Sequence, residues 1–242
     1  MQELQSKIIE NLTFVLEFMA VVVAIVLFAY VIEKLSHRID SYKGRIFTTR
    51  KIAMIGLFSA ISAILMMFEF PVPFAPTFYK LDFSELPVLI VTFAFGPVAG
   101  VLTEFCKICL KVIFRSTSTA FVGELANFVV GCSFILPAGF IYIFKKTKVN
   151  ALIGCVLGTI VLTVFGSAFN GLYLLPTFAS LYGMSLDSII GMGTSINASI
   201  TSVTTFVIFA VAPLNLIKGA MISILTLLIY KKISPILKSA KK

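Results

Sequence analysis

Lys218 and Asn215 are the residues whose chemistry stands out, because both lie inside the last long apolar run of the chain, three positions apart and therefore on one helical face. An ammonium group within a membrane-length run is costly unless a partner or a ligand uses it, so an ionisable residue there marks a site. Glu124 and Asn127 repeat the same spacing near the start of another apolar run, and Asn170 lies in the run that follows. Counted back from Lys231, Lys218 sits ~20 Å up its helix at 1.5 Å per residue, which places these groups together in the outer half of a bilayer. Two compatible readings follow. Lys218 pairs with Glu124 while the asparagines bond helix to helix, or the same groups line a pocket open to the outside.

Other chemistries lack their parts. The single histidine, His37, lies in a basic loop, so no paired-histidine metal site is expected. There is no G-x-x-x-x-G-K-[ST] loop, hence no sign that the chain itself hydrolyses ATP. Gly191 and Gly193 form a lone glycine pair in an outer loop without a preceding strand. Cys106, Cys109, Cys132 and Cys155 all fall in apolar runs and read as small hydrophobes; the Cys106–Cys109 spacing matches a redox motif but sits mid-helix. An intramembrane enzyme would need a nucleophile with a basic partner, and the Ser and Thr cluster at 194–205 has none nearby in sequence.

The elements that position these groups are membrane helices. Of 242 residues, 59% are hydrophobic and 13% charged, and a mean hydropathy of +1.04 exceeds what a soluble core of this size hides. Apolar runs occupy 12–35, 52–70, 86–114, 121–144, 151–178 and 204–230. The net charge of +9 does not indicate nucleic acid, since fourteen of the twenty basic residues bracket the runs at 34–51, 145–148 and 231–242. The positive-inside rule makes those segments cytoplasmic and puts the N-terminus outside. Parity then requires two crossings from 86–114, and the Gly96-Pro97 break divides it into short helices at 84–95 and 97–114. The first 35 residues carry Glu3 and Glu10 and no small-residue cleavage site, so they read as a retained extra helix. The loop 68–83 is aromatic and stiffened by prolines, either an interfacial belt or a lid for a flat ligand. Asp82 to Glu85 has capping-box spacing, which makes Asp82 a helix cap in preference to a ligand contact.

Four segments in order, LDFSELP (81–87), FGPVAG (95–100), GELANF (123–128) and APLNLIKG (212–219), resemble the riboflavin-specific S components of bacterial energy-coupling factor transporters. The resemblance covers roughly 50–235. It implies an all-α polytopic bundle with a six-helix riboflavin-binding domain at 51–242; the extra transmembrane helix and basic cytoplasmic loop read from the sequence at 1–50 depart from the family's six-helix pattern. It implies capture of riboflavin (with FMN or analogues as alternatives) from outside, without enzymatic activity, for import by a membrane scaffold subunit and two ATPases. Riboflavin is then cargo, and no cofactor or metal is expected. Asn215 and Lys218 would contact the isoalloxazine ring, with Asn127, Glu124 and Asn170 around it and outer-loop contacts at Thr77, Phe78, Tyr79 and Lys80. Gly56 and Ala60, with Ser59 and Ala63 beside them, occupy the family's small-residue docking spacing, although such seams also pack bundles internally. An S component for another small heterocycle is the alternative. The expected location is the bacterial cell membrane, multi-pass, with the C-terminus cytoplasmic.

Overall fold

The computed structural model describes residues 7–39 and 47–238; Glu3, used above for the retained first helix, and Lys43, Arg45, Lys241 and Lys242, among the basic residues of 34–51 and 231–242, lie outside the described residues. The chain order is α1 (Leu12–Ile39), α2 (Thr49–Met67), a hairpin of β1 (Phe70–Pro71) and β2 (Lys80–Leu81), α3 (Glu85–Phe95), α4 (Pro97–Arg115), α5 (Val122–Phe144), α6 (Lys148–Phe169), α7 (Leu175–Leu181), α8 (Leu186–Thr194), α9 (Val203–Phe206) and α10 (Ala212–Lys238). A π-helical turn, Asn170–Leu174, joins α6 to α7, and a second, Val207–Val211, joins α9 to α10. Five helical segments among the described residues are long and apolar enough to cross a membrane. The long runs fall where their hydropathy placed them, because backbone in hydrocarbon must satisfy its hydrogen bonds within its own helix.

The short helix α3 is the centre of the bundle. Val88, Leu89, Ile90, Val91 and Phe93 are buried, and α2, α4, α5 and α10 surround it. Eleven residues rise only ~16 Å, too short to cross a bilayer alone, and protein neighbours enclose α3 in place of lipid. Its aromatic end packs Phe93 against Tyr142 and Tyr230, with ring centroids 4.7 Å and 5.6 Å away. Gly96 turns the chain with φ +98°, a conformation a side chain would strain, and Pro97 opens α4 as its first residue. The broken pair expected at 84–95 and 97–114 is therefore present as 85–95 and 97–115.

The expected capping box at Asp82–Glu85 is not formed. Ser84 is the N-cap and makes no side-chain cap bond, while Asp82 Oδ1 accepts from Ser84 N at 2.8 Å, a local turn that leaves Oδ2 free for another task. The proline-rich loop 68–83 folds as a two-residue antiparallel hairpin, Phe70 opposite Leu81 and Pro71 opposite Lys80.

On α2, Gly56 and Ala60 are exposed with Ala53, beside the exposed Leu57, Ile61 and Ile64. Ser59 and Ala63 point the other way: Ala63 is 2% exposed, and Ser59 Oγ donates to Ile55 O at 2.7 Å and to Thr103 O at 3.2 Å. Ala63, expected in the docking set, is thus a packing residue of the bundle.

Helices α5 and α6 approach closely, made possible by glycine. A Cβ on Gly154 would lie 2.7 Å from Ala138 O, and one on Gly158 2.6 Å from Phe134 O, backbone atoms that cannot rotate away. Gly158→Ala is expected to lower the thermal midpoint of the detergent-solubilised protein, at a cost of about 1–3 kcal/mol from overpacking. Gly56→Ala, whose Cβ meets nothing within 4 Å, should leave the midpoint unchanged or slightly raised. Equal effects at the two positions would contradict the close approach.

Candidate functional site

A cavity of about 650 Å³ opens between the hairpin and the 116–119 loop and descends among α3, α5, α6 and α10. Its walls combine apolar side chains (Met66, Phe134, Leu162, Val211 and Ile222 among them) with a comparable number of polar and charged ones, so a ligand here meets both apolar surface and hydrogen-bonding groups. Asn215, Lys218, Asn127, Glu124, Asn170, Phe78, Tyr79 and Lys80 all line it. Thr77, grouped with them from the sequence, is exposed on the hairpin loop and is not among the lining residues.

Lys218 does not pair with Glu124. Its Nζ lies 3.0 Å from Asp82 Oδ2 and 3.0 Å from Glu85 Oε2, so two carboxylates from the start of α3 hold it in the cavity wall. Asp82, outside the helices, has its pKa held below the usual carboxylate range: burial works to raise it, but the Lys218 and Lys107 ammonium groups and the Ser84 hydrogen bonds outweigh that. Behind this trio, Lys107 is fully buried and donates to Ser84 Oγ at 3.1 Å. It also lies 2.6 Å from Glu104 Oε1 and 3.5 Å from Glu85 Oε1. Three carboxylates and two lysines from α4, α10 and the start of α3 thus form one continuous network.

Glu124 belongs to a second network, nearer the mouth. Lys111 Nζ donates to its Oε1 at 2.6 Å, and the Thr117 and Thr119 hydroxyls donate to its Oε2 at 2.9 Å and 3.1 Å. Those threonines organise a loop in which Ser116, Ala120 and Phe121 all have positive φ. Such backbone persists only where side chains determine it, and Thr117 Oγ1 accepts from both Thr119 N and Phe121 N. At the rim, Lys80 and Arg115 face Glu69 at 2.5 Å and 3.6 Å.

The asparagines are presented by specific backbone devices. Asn170 begins the π-helical turn that ends α6, and its Oδ1 accepts from the Tyr79 hydroxyl, tying the hairpin to the bundle. The surroundings of Tyr79 push its phenol pKa above the ordinary value against the opposing pull of that bond, so it serves as a neutral donor. Gly171 makes room for the second π turn, since a Cβ there would lie 2.9 Å from Val207 Cγ2; paired π turns beside a cavity fit their frequent occurrence at sites. Asn215 has its amide against Gly166, where a Cβ would come within 2.9 Å of Nδ2. Asn127 Nδ2 donates to Gly123 O at 2.9 Å.

Sequence reasoning missed Asp82, Glu85, Glu104, Lys107 and Lys111 as parts of the site. The i, i+3 pair of opposite charges at 104 and 107 within an apolar run was the available signal. Among the described residues no group of His, Cys, Asp and Glu is arranged to hold a metal ion, and all four cysteines are free thiols.

The family model for the ECF transporter substrate-specific component matches residues 50–230. The riboflavin transporter RibU of Staphylococcus aureus is 36% identical over 189 residues, covering 78% of this chain and 93% of its own length. The riboflavin transporter FmnP of Bacillus subtilis is 30% identical over 188 residues, covering 77% and 93%. A solved structure of the S component of a bacterial ECF transporter superposes with a TM-score of 0.60 at 35% identity, over 78% of this chain and 97% of that one.

Removing one charge of the inner network exposes the cost of the other. Lys107→Met is expected to lower stability by about 3–5 kcal/mol, because Glu104 is left buried without a counter-ion. Glu104→Gln with Lys107→Met should recover most of that loss in a thermal melt of the purified protein. A double variant no more stable than the single one would show that the two charges are not coupled.

Proposed function

The chain belongs to the substrate-specific components of ECF transporters, and on that basis we propose that its cavity binds riboflavin at the outer side of the membrane. An S component is a multi-pass membrane protein that captures a substrate for uptake and is not itself an enzyme. The observation that carries the flavin reading is the placement of Lys218, clamped by Asp82 and Glu85, at the cavity wall with the Asn215, Asn127 and Asn170 amides, facing apolar surface from Phe134, Leu162, Val211 and Ile222. A flavin presents a flat apolar tricycle to such walls, and a uracil-like edge with one N–H donor and two carbonyl acceptors to such amides and ammonium. Two carboxylates against one lysine at the cavity wall leave acceptor capacity that suits the ring N–H. The aromatic pair Phe78 and Tyr79, with centroids 4.8 Å apart at the mouth, supplies a surface for stacking.

The orientation that follows has the N-terminus and the hairpin outside and the C-terminus in the cytoplasm. Lys145, Lys146, Lys231 and Lys232 then lie at the inner face as the positive-inside rule asks. Uptake requires a membrane scaffold and two ATPases. The exposed α2 strip of Ala53, Gly56 and Ala60 is the face proposed to meet the scaffold, since small residues let another helix approach closely.

Titration of the purified protein into riboflavin should quench flavin fluorescence and saturate at one ligand per chain. Lys218→Ala should raise Kd by about 10- to 100-fold, the scale of a lost charge-assisted bond. Absence of quenching by the unmodified protein overturns the flavin reading, and an unchanged Kd in the variant removes Lys218 from the contact set. Gly56→Leu places its new side chain in open space, so it should retain riboflavin binding and abolish uptake in cells that supply the partner subunits; normal uptake would exclude this face from docking.

A further inference from the structure

Helix α1 lies ahead of residue 50, where the family match begins, yet it is tied into the bundle by buried chemistry. Glu33 is 2% exposed and Lys51 5% exposed. Glu33 Oε1 accepts from Lys51 Nζ at 2.7 Å, and its Oε2 accepts from the backbone N–H of Val98 at 3.0 Å. That second bond answers a need created by the Gly96-Pro97 break. Helix α4 has no side-chain cap of its own, Pro97 has no N–H, and Val98 is the first amide of the helix lacking an acceptor within it. Val98 is 0% exposed, so no water is at hand for that amide, and a carboxylate also complements the positive end of the helix dipole. The fit is tight: a Cβ on Gly96 would lie 2.7 Å from Glu33 Oε2.

The opposite end of α4 is held from the same added segment. Lys7 Nζ donates to Thr117 O at 2.8 Å in the loop that follows Arg115. Between the two ends, Phe18 packs on Phe105 of α4 and Phe128 of α5, with centroids 6.5 Å and 5.9 Å away. The segment therefore grips α4 at its start, middle and end. Along α4 stand Lys107, which supports Glu85 beneath Lys218, and Lys111, which holds Glu124 at the cavity wall. A change in the level of α4 displaces both lysines against partners on α3 and α5.

We infer that Glu33 is a positioning residue for the binding site: from the added helix it caps and anchors α4, and so sets the level at which Lys107 and Lys111 meet the carboxylates of the cavity. The inference rests on the reading of that cavity as the ligand site. It is tested in the full-length protein with Glu33→Ala and with the pair Glu33→Gln and Lys51→Met, reading riboflavin Kd and amide hydrogen exchange along α4. Glu33→Ala should raise Kd by about tenfold, the scale of one lost charge-assisted bond, and speed exchange from Val98 through Lys111. The double variant should return Kd to within about threefold of the unmodified protein, because a glutamine oxygen still accepts from Val98 N–H and no charge remains unpaired.

Unchanged Kd in Glu33→Ala, with faster exchange confined to residues 98–101, overturns the inference and leaves a local cap. If the unmodified protein fails to quench riboflavin, the flavin reading fails separately. Exchange at 107–111 then decides, with acceleration there sustaining the anchoring role and its absence overturning it. Should Glu33→Ala aggregate on gel filtration, Glu33→Asp, too short to reach both partners, is judged by the same exchange readout.

Discussion

The structure depends on keeping three carboxylates and two ammonium groups out of water within one connected network. Glu104 and Lys107 are wholly buried, Glu85 and Asp82 nearly so, and Lys218 reaches them from the last helix. Desolvating each ion costs several kcal/mol, and Coulomb attraction offsets that only where geometry and hydrogen bonds are good. The network is therefore a poor device for stability and a good one for specifying position. It fixes α3, α4 and α10 relative to one another at a single depth, so the helices cannot slide as apolar surfaces in lipid otherwise allow. Apolar packing alone gives little register in a membrane, because lipid tails are as apolar as leucine.

Irregular backbone collects around this fixed point. The Gly96-Pro97 break ends α3 just past the Phe93–Tyr142–Tyr230 cluster, two π turns rotate Asn170 and the start of α10 toward the cavity, and the Ser116–Phe121 loop holds three non-glycine residues at positive φ. Each feature has backbone groups that lipid would leave unsatisfied, and each sits where protein covers it or a cavity admits water. Glu33 at the break, and Thr117 and Thr119 at the loop, supply hydrogen bonds that a regular helix supplies to itself. The polar side chains within the bundle are therefore of two kinds, those that face the cavity and those that make its irregular walls possible.

The two kinds explain what was readable in the sequence. Lys218, Asn215, Asn127 and Asn170 are conspicuous because a polar group in an apolar run has no local explanation. Asp82 and Glu85 have one: their spacing ahead of α3 matches a helix cap, and nothing local marks a partner 136 residues away. Glu124 was assigned to Lys218 on shared depth, whereas depth leaves open the bearing around the bundle axis, and Lys111 on the adjacent helix is nearer. The broken span was legible from charge parity and the Gly-Pro pair, since both are constraints of topology rather than of packing. Ala63 was misassigned for the reverse reason. A spacing of seven from Gly56 resembles a seam, but the straight helix turns Ser59, Ser62, Ala63 and Met66 inward together and leaves Ala53, Gly56, Leu57, Ala60 and Ile64 outward.

This division of α2 bears on how a binding subunit of this family can serve two surfaces at once. Its inward face packs on α3 and α4, which carry the charges behind the cavity, and its outward face is uncharged and open. Ser59 Oγ bonds Thr103 O of α4 across the inward face, while Lys51 at the start of α2 holds Glu33 of the added helix. A partner helix seated on the outward strip thus touches an element already fixed at its first turn and at its middle. Movement of α2 relative to α4 would have to break the buried Ser59–Thr103 bond, and movement relative to α1 the buried Lys51–Glu33 pair. The parts left to move separately are the hairpin and the segment between the π turns, joined to the bundle through the Tyr79–Asn170 bond and the contact of Tyr79 with Phe206. These elements at the cavity mouth do not include the outward strip of α2.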